Sequence, residues 1–118
     1  MAVRGIRGAT VVEADDRELI LRATRELLEA LVLANDIAVD DIASVMFTMT
    51  PDLQSAYPAQ AARGLGWENT PLLGALETAV PGGLPRCVRV LMHMNTDRAP
   101  ADIKHIYLHE AQTLRPDL

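Results

Sequence analysis

Hydrophobic and polar residues change their period along the chain, and each period predicts a different element. Residues 2–13, AVRGIRGATVVE, are rich in β-branched residues and predict a first strand, whose two glycines favour a bend or a close backbone approach. From 15 to 35 the apolar residues recur every three or four positions, which predicts one long helix. The segment DDRE at its start supplies an N-cap aspartate with a glutamate three residues on, and Asn35 is the expected left-handed stop.

Four more strands and a short helix are expected after this helix. The segment 42–50, IASVMFTMT, is β-rich and ends at Pro51, while Pro58 opens a short helical turn that two glycines close. The apolar run at 71–80 and the stretch at 86–95 flank a Gly82-Gly83 turn, which predicts strand, turn and strand. The residues 105–114, HIYLHEAQTL, predict a fifth strand.

This order of elements predicts an α+β fold with a mixed β-sheet of about five strands, one long helix and a short helical turn. The length of 118 residues suits one domain and no composition shift divides it, so we expect 1–118 to form a single domain. One long helix can cover only one face of the sheet. With 49 % apolar residues, the other face is expected to be closed by identical subunits rather than left in water.

Charge and composition narrow the classes of partner. A net charge of -5 with no basic run argues against nucleic acid, because phosphate binding needs clustered cations. No run of about 18 apolar residues exists to span a bilayer, and MAVRGIRG lacks the apolar core of a signal peptide, so a soluble cytoplasmic protein is expected. The single cysteine, Cys87, suits a reducing compartment and is interpreted as a small core residue rather than a nucleophile.

Arginine dominates the cationic side chains, since 10 of the 11 are arginine and only Lys104 is lysine. The planar guanidinium grips carboxylates bidentately, which lysine cannot do. A high-GC genome would produce the same bias without functional meaning. The position of each arginine must therefore decide which of them matter.

One arginine stands inside an apolar strand, CVRVLMHM at 87–94. Alternation puts Arg89 on one face with Cys87, and the other face, expected to be core, carries Val88, Val90, Met92 and Met94. A buried guanidinium without an anion is costly, so Arg89 has either an internal carboxylate or an anion from outside. Glu77 is the internal candidate, because it would lie near Arg89 if the two strands pair through the glycine turn.

Arg4 and Arg7 differ by three positions in the first strand, so they point to opposite faces and only one can look into a given pocket. Arg7 shares its face with Gly5 and Ala9, whose small size leaves space beside the guanidinium. The alternative is that both arginines are solvated near the start of the strand.

The sequence gives little support to a metal site, a catalytic triad or a phosphate-binding loop. His105 and His109 are four apart, which puts them on the same face of a helix or a strand, but a metal site would need a third ligand. The sequence contains no Ser-His-Asp order and no glycine-rich phosphate motif.

Six phrases occur in order and with consistent spacing between residues 3 and 118: RGIRGAT, TPDLQSAYPAQAAR, a GG turn followed by CVRV, NTD, HIYL and LRPDL. Together they resemble the monofunctional, trimeric, pseudo-α/β-barrel class of chorismate mutases. The resemblance implies a homotrimer with active sites between neighbouring subunits. It also implies the intramolecular [3,3] (Claisen) rearrangement of chorismate to prephenate, toward phenylalanine and tyrosine, with no cofactor and no metal.

Chorismate is a dianion, and negative charge builds on its ether oxygen as the carbon–oxygen bond breaks. Such a step needs a fixed cation and a clamp, not a nucleophile or a base. By resemblance, Arg89 reaches the ether oxygen and a carboxylate, Arg7 grips a carboxylate across the subunit interface, Tyr107 helps to fix that end, and Glu77 accepts from the ring hydroxyl. The resemblance assigns packing, entrance and tail contacts to Tyr57, Ala59, Arg63, Gly74, Leu114 and Arg115.

Three departures from the family pattern stand out. The family often carries phenylalanine where Tyr57 stands and lysine where Gln60 stands, and losing that cation would weaken binding. The loop at 64–67 is one residue shorter than in a relative. Gly74 replaces a cysteine that is sometimes found there, so a backbone contact can persist but a side-chain contact cannot.

Two alternatives share the trimeric architecture: an imine deaminase, and a small-acid-binding regulatory trimer. A small-acid ligand carries one carboxylate and needs one arginine. Here Arg7 and Arg89, with Arg63 and Arg115, are expected to serve one pocket, which favours a dianion.

Overall fold

The computed structural model describes residues 1–114 and has the expected α+β architecture. The strands are β1 (Ala2–Val11), β2 (Ile42–Met49), β3 (Leu72–Leu76), β4 (Cys87–Thr96) and β5 (Ile106–Tyr107). The helices are α1 (Arg17–Asn35) and α2 (Ala59–Gly64), and short 3₁₀ segments occur at Val39–Asp41, Pro100–Asp102 and His109–Leu114. The one long helix, the short helix after Pro58 and the five-stranded sheet are therefore confirmed.

The strands form one mixed sheet in the order β3-β2-β4-β1-β5. Strand β4 is central and antiparallel to both β1 and β2, whereas β3 runs parallel to β2 and β5 parallel to β1. β3 and β4, which the sequence allows to pair through the glycine turn, do not pair, because β2 lies between them. The connection at 77–86 contains Pro81 and Pro85, which lack the N–H donors of a hairpin ladder.

The predicted fifth strand is much shorter than 105–114. Of residues 105–114, only Ile106 and Tyr107 pair with β1. His109 then adopts a left-handed backbone with φ 54°, which departs from the extended conformation of a strand, and the chain continues as the 3₁₀ segment His109–Leu114. Ala111 of this segment is buried against the Cys87 end of the sheet. We call His109–Leu114 the tail segment.

Helix α1 begins at Arg17, and Asp16 is its N-cap, since the Asp16 carboxylate accepts the Leu19 N–H at 3.0 Å. The left-handed residue that ends the helix is Asp36, with φ 50°, and not Asn35 as expected. Asn35 stays helical because its amide bridges to Lys104: Nδ2 donates to the Lys104 carbonyl at 2.9 Å and Oδ1 accepts the Lys104 N–H at 2.8 Å.

Asp15, just before this cap, fastens the loop that follows β2. Its Oδ1 accepts the backbone N–H groups of Gln54 at 2.9 Å and Ser55 at 3.0 Å. The bond from Gln54 is the main cause that lowers the pKa of the Asp15 carboxyl below its ordinary value, because both donors favour the charged form.

The core lies between α1 and one face of the sheet. Leu27, Leu28 and Leu31 of α1 pack there with Ile6 and Phe47, and all five are fully buried. The face of β4 predicted as core is confirmed, since exposure does not exceed 3 % for Val88, Val90, Met92 and Met94.

Glycine at position 8 permits this packing. A Cβ at Gly8 would lie 3.0 Å from a methyl group of Leu31 and 3.1 Å from one of Leu27, which is tighter than ordinary contact. The expectation that a glycine in the first strand marks a close approach is confirmed at this position.

The opposite face of the sheet, called the open face below, is only partly covered by residues 1–114. The tail segment packs near β1 and buries Cys87 to 2 % exposure, which confirms its core position, and burial raises the pKa of its thiol. Elsewhere on this face, apolar side chains of β2, β3 and β4 remain exposed: Met46, Leu73 and Leu91. No helix in the described range is long and apolar enough to cross a membrane.

Candidate active site

A cavity of about 370 Å³ lies on the open face, between the centre of the sheet and the tail segment. It contains five of the side chains singled out in the sequence: Arg7, Glu77, Arg89, Tyr107 and Leu114. These residues come from β1, the end of β3, β4, β5 and the tail segment, so the site depends on long-range pairing rather than on a local motif.

The register of the sheet explains why these residues meet. Ala9 of β1 lies opposite Arg89 on β4 and beside Tyr107 on β5. Arg7 is two residues from Ala9 and therefore projects from the same face as Arg89. Arg7 and Arg89 line the same cavity within a single chain, so Arg7 need not reach across a subunit interface as the resemblance implied.

Glu77 and Arg89 form the internal pair that the sequence allows, although by a different route. Glu77 follows β3 directly, and its N–H donates to the Met49 carbonyl at 2.9 Å, so β2 fixes the start of the loop. The Glu77 Oε2 lies 3.5 Å from Arg89 Nε, across the intervening strand. The pair is long and open to water, with side-chain exposures of 47 % for Arg89 and 26 % for Glu77.

Thr48 of β2, which was not identified from the sequence, stands between these two groups. It lies opposite Arg89 in the β2–β4 register, and its Oγ1 donates to Glu77 Oε2 at 2.8 Å. The signal that could have found it is the alternation in IASVMFTMT, which puts Met46 and Thr48 on the face away from the buried Val45 and Phe47.

The two histidines do not form a metal site. The His105 Nδ1 accepts the backbone N–H of Arg7 at 2.9 Å, whereas His109 Nε2 lies 2.8 Å from Glu26 Oε1 on α1. Neither belongs to β5, so the expected shared face is not formed. No group of three or more His, Cys, Asp or Glu side chains that could hold a metal occurs within residues 1–114.

Four predicted substrate contacts lie outside this cavity. Tyr57 is 73 % exposed and lines a separate depression with Arg17 and Gln60, where Arg17 donates to Gln60 Oε1 at 2.9 Å. Arg63 is exposed on the last turn of α2, and Ala59, at its start, packs partly against the core. Gly74 is exposed in β3 with open space beside its Cα, and Arg115 lies outside the described residues.

The cavity combines two guanidinium groups with one carboxylate, so it carries an excess of positive charge beside the apolar wall of Leu91 and Leu114. This arrangement suits an anion that also presents a hydroxyl group to Glu77. It contains the parts of an electrostatic clamp.

The sequence matches the family model for chorismate mutase type I over residues 3–118. This chain belongs to the chorismate mutase type I family. The resemblance drawn from RGIRGAT, CVRV and LRPDL is thereby confirmed.

Full-length relatives agree with this family. Chorismate mutase AroH of Thermus thermophilus is 54 % identical over 117 residues, covering 98 % of this chain and 96 % of the relative. Chorismate mutase AroH of Bacillus subtilis (strain 168) is 44 % identical over 119 residues, covering 100 % and 94 %. A solved chorismate mutase structure from Clostridium thermocellum superposes with a TM-score of 0.92 at 45 % identity, covering 93 % of this chain and 98 % of that chain. Chorismate mutases thus match along the whole chain, and the imine deaminase alternative is not supported.

Proposed function

We propose that this member of the chorismate mutase type I family is an isomerase that converts chorismate to prephenate in phenylalanine and tyrosine biosynthesis. The observation that carries the mechanism is the convergence of Arg7, Arg89 and Glu77 in one cavity. A dianionic substrate with a ring hydroxyl has one complementary group for each of these side chains.

Arg89 supplies the charge that the reaction needs. In the rearrangement one carbon–oxygen bond breaks while one carbon–carbon bond forms, and no proton is transferred. Negative charge develops on the ether oxygen, and a guanidinium held by the sheet at that point stabilises the transition state more than the ground state. The partial pairing with Glu77 holds Arg89 in place without neutralising it completely.

Arg7 and Tyr107 form the clamp at a substrate carboxylate, and Glu77 accepts a hydrogen bond from the ring hydroxyl. Holding both ends restrains the substrate in the conformer in which the reacting carbons approach, which removes much of the entropic barrier. Leu114 of the tail segment adds an apolar wall on the remaining side. The same chemistry requires neither a metal nor a cofactor.

The open face supports a homotrimer in which neighbouring subunits complete each site. Met46, Leu73 and Leu91 are 36–60 % exposed there, and buried apolar area is the main driving force for association. Tyr57, Ala59, Arg63 and Gly74, which lie outside the cavity of their own chain, would then contact substrate in the cavity of a neighbour. Arg115, beyond the described residues, would close the mouth. The buried, unpaired thiol of Cys87 suits the reducing cytoplasm, where we place the protein.

Chorismate turnover by the purified protein tests the activity. Loss of chorismate absorbance, with prephenate identified as the product by mass spectrometry, is expected; an unaltered spontaneous rate would refute the proposed function. Sedimentation equilibrium tests the assembly separately. A mass near three times 12.9 kDa is expected. A monomer that turns over chorismate at full rate would refute the sharing of sites between subunits but not the activity.

A further inference from the structure

We propose that Thr48 is a positioning residue for this reaction: its hydroxyl holds the Glu77 carboxylate so that Arg89 remains available to the substrate. The inference rests on the proposed function, because it concerns which charges of the site stay free for chorismate. It follows from the place of Thr48 in the sheet and from the hydrogen bonds of Glu77.

The sheet order places residue 48 between the Glu77 carboxylate and the Arg89 guanidinium. Strand β2 separates β3 from β4, so the strands that lead to Glu77 and carry Arg89 are roughly 9–10 Å apart. Their side chains meet only by reaching over the β2 residue opposite Arg89, which is Thr48. A large side chain there would form a wall, whereas threonine is short enough to be spanned and still offers a donor.

The carboxylate divides its hydrogen bonds unequally. Oε2 accepts the Thr48 hydroxyl at 2.8 Å, a normal hydrogen bond, while Arg89 Nε stays at 3.5 Å from the same atom. Oε1 has a weaker contact, the Thr78 N–H at 3.3 Å. Thr48 therefore gives Oε2 a neutral hydrogen-bond donor. Oε1 is left to accept a hydrogen bond from a substrate hydroxyl.

Removing the hydroxyl should change the partner of Oε2. A carboxylate that loses a hydrogen bond seeks another donor, and the nearest cation is Arg89. If Glu77 draws Arg89 into a short ion pair, the guanidinium is turned away from the ether oxygen. The consequence is a slower chemical step in a protein whose sheet is intact.

The test compares Thr48→Val, which keeps the shape and removes the hydroxyl, with Thr48→Ser, which keeps the hydroxyl. Thr48→Val should lower kcat/KM about tenfold, mostly through kcat, and Thr48→Ser should retain activity within about threefold. Thr48→Ala is made in parallel in case valine perturbs folding, and circular dichroism checks each variant. Ser44→Ala is the matched control, because Ser44 has its hydroxyl on the same strand and face but bonds His93 at 3.1 Å, outside the cavity.

A second readout reports directly on Arg89. Its Nε–Hε resonance in ¹⁵N NMR should shift in Thr48→Val, as Glu77 becomes its hydrogen-bond acceptor, and stay in place in Thr48→Ser. Turnover by Thr48→Val and Thr48→Ala within twofold of wild type, equal losses in Thr48→Val and Thr48→Ser, or an unshifted Arg89 resonance would each overturn the inference. A wild-type protein without chorismate turnover would instead overturn the proposed function itself.

Discussion

Replacing Arg89 by methionine removes the guanidinium from the cavity while keeping an unbranched side chain on β4. The change should have little effect on folding. Arg89 is nearly half exposed, and its 3.5 Å pair with Glu77 belongs to the class of exposed ion pairs that contribute about 1 kcal/mol or less. We therefore expect the melting temperature to stay within roughly 5 °C of wild type.

The effect on catalysis should be much larger. At about 4 Å and an effective dielectric constant near 20, two unit charges interact by about 4 kcal/mol. Only part of a charge develops on the ether oxygen and water fills some of the vacated space, which reduces the loss to about 3 kcal/mol. This corresponds to a fall in kcat of about 10²–10³, in line with the removal of one charge-stabilising donor. Arg89→Lys keeps the charge but loses the planar fork of donors. Its kcat should therefore lie between those of wild type and Arg89→Met.

Initial rates of chorismate consumption over a range of concentrations separate kcat from KM for wild type, Arg89→Met and Arg89→Lys. Arg25→Met serves as the control, because Arg25 is an exposed arginine of α1. It should leave both parameters unchanged. A folded Arg89→Met protein with kcat within threefold of wild type would refute the assignment of Arg89 to the breaking bond.

Three further predictions concern pH. The kcat of wild type should vary little between about pH 6 and 9, because no side chain transfers a proton; a steep bell-shaped profile would contradict this. Burial raises the pKa of Cys87, so its stabilising contribution is complete below the ordinary thiol pKa and is lost as the pH rises above it. Thermal melts from pH 8 to 10 should fall more steeply for wild type than for Cys87→Ala, and parallel curves would disprove the effect. The lowered pKa of Asp15 gives the opposite pH dependence, because its stabilising contribution is lost as the pH falls. Asp15→Asn should melt below wild type at pH 7, and the difference in melting temperature should close as acid protonates the carboxylate. A difference that persists at low pH would rule this out.

The faces of the central strand could be predicted from the sequence alone. Alternation in CVRVLMHM assigns Val88, Val90 and Met92 to the core and Arg89 to the other face, because successive side chains of a strand must point in opposite directions. The strict local geometry of a strand is sufficient for that inference. It also limits the search for a site to one face of the sheet.

Strand partners could not be predicted in the same way. Glu77 does lie near Arg89, but the hairpin from which that proximity was inferred does not exist, since β2 pairs with both strands. Pairing depends on the packing of the whole sheet, to which no single segment is a guide. Thr48 was missed for the same reason, because its place between Glu77 and Arg89 depends on the pairing of β2 with both β3 and β4.

The end of the fifth strand could not be predicted from the sequence pattern either. His109 carries a left-handed backbone that an alternating apolar pattern does not reveal, and its contact with Glu26 of α1 joins two segments far apart in the chain. Leu114, at the end of the segment that follows this turn, lines the cavity, although its place in the site was expected only from the family resemblance.

The position of β4 at the centre of the sheet has a consequence for synthesis on the ribosome. β1 is made first, but its neighbours in the sheet are β4 and β5, which are made last. At about 5–20 residues per second, the N-terminal strand waits roughly 4–15 s for its first partner to be translated. During that interval Ile6 and the apolar face around it have no sheet to join, so the nascent chain is vulnerable to aggregation until β4 emerges.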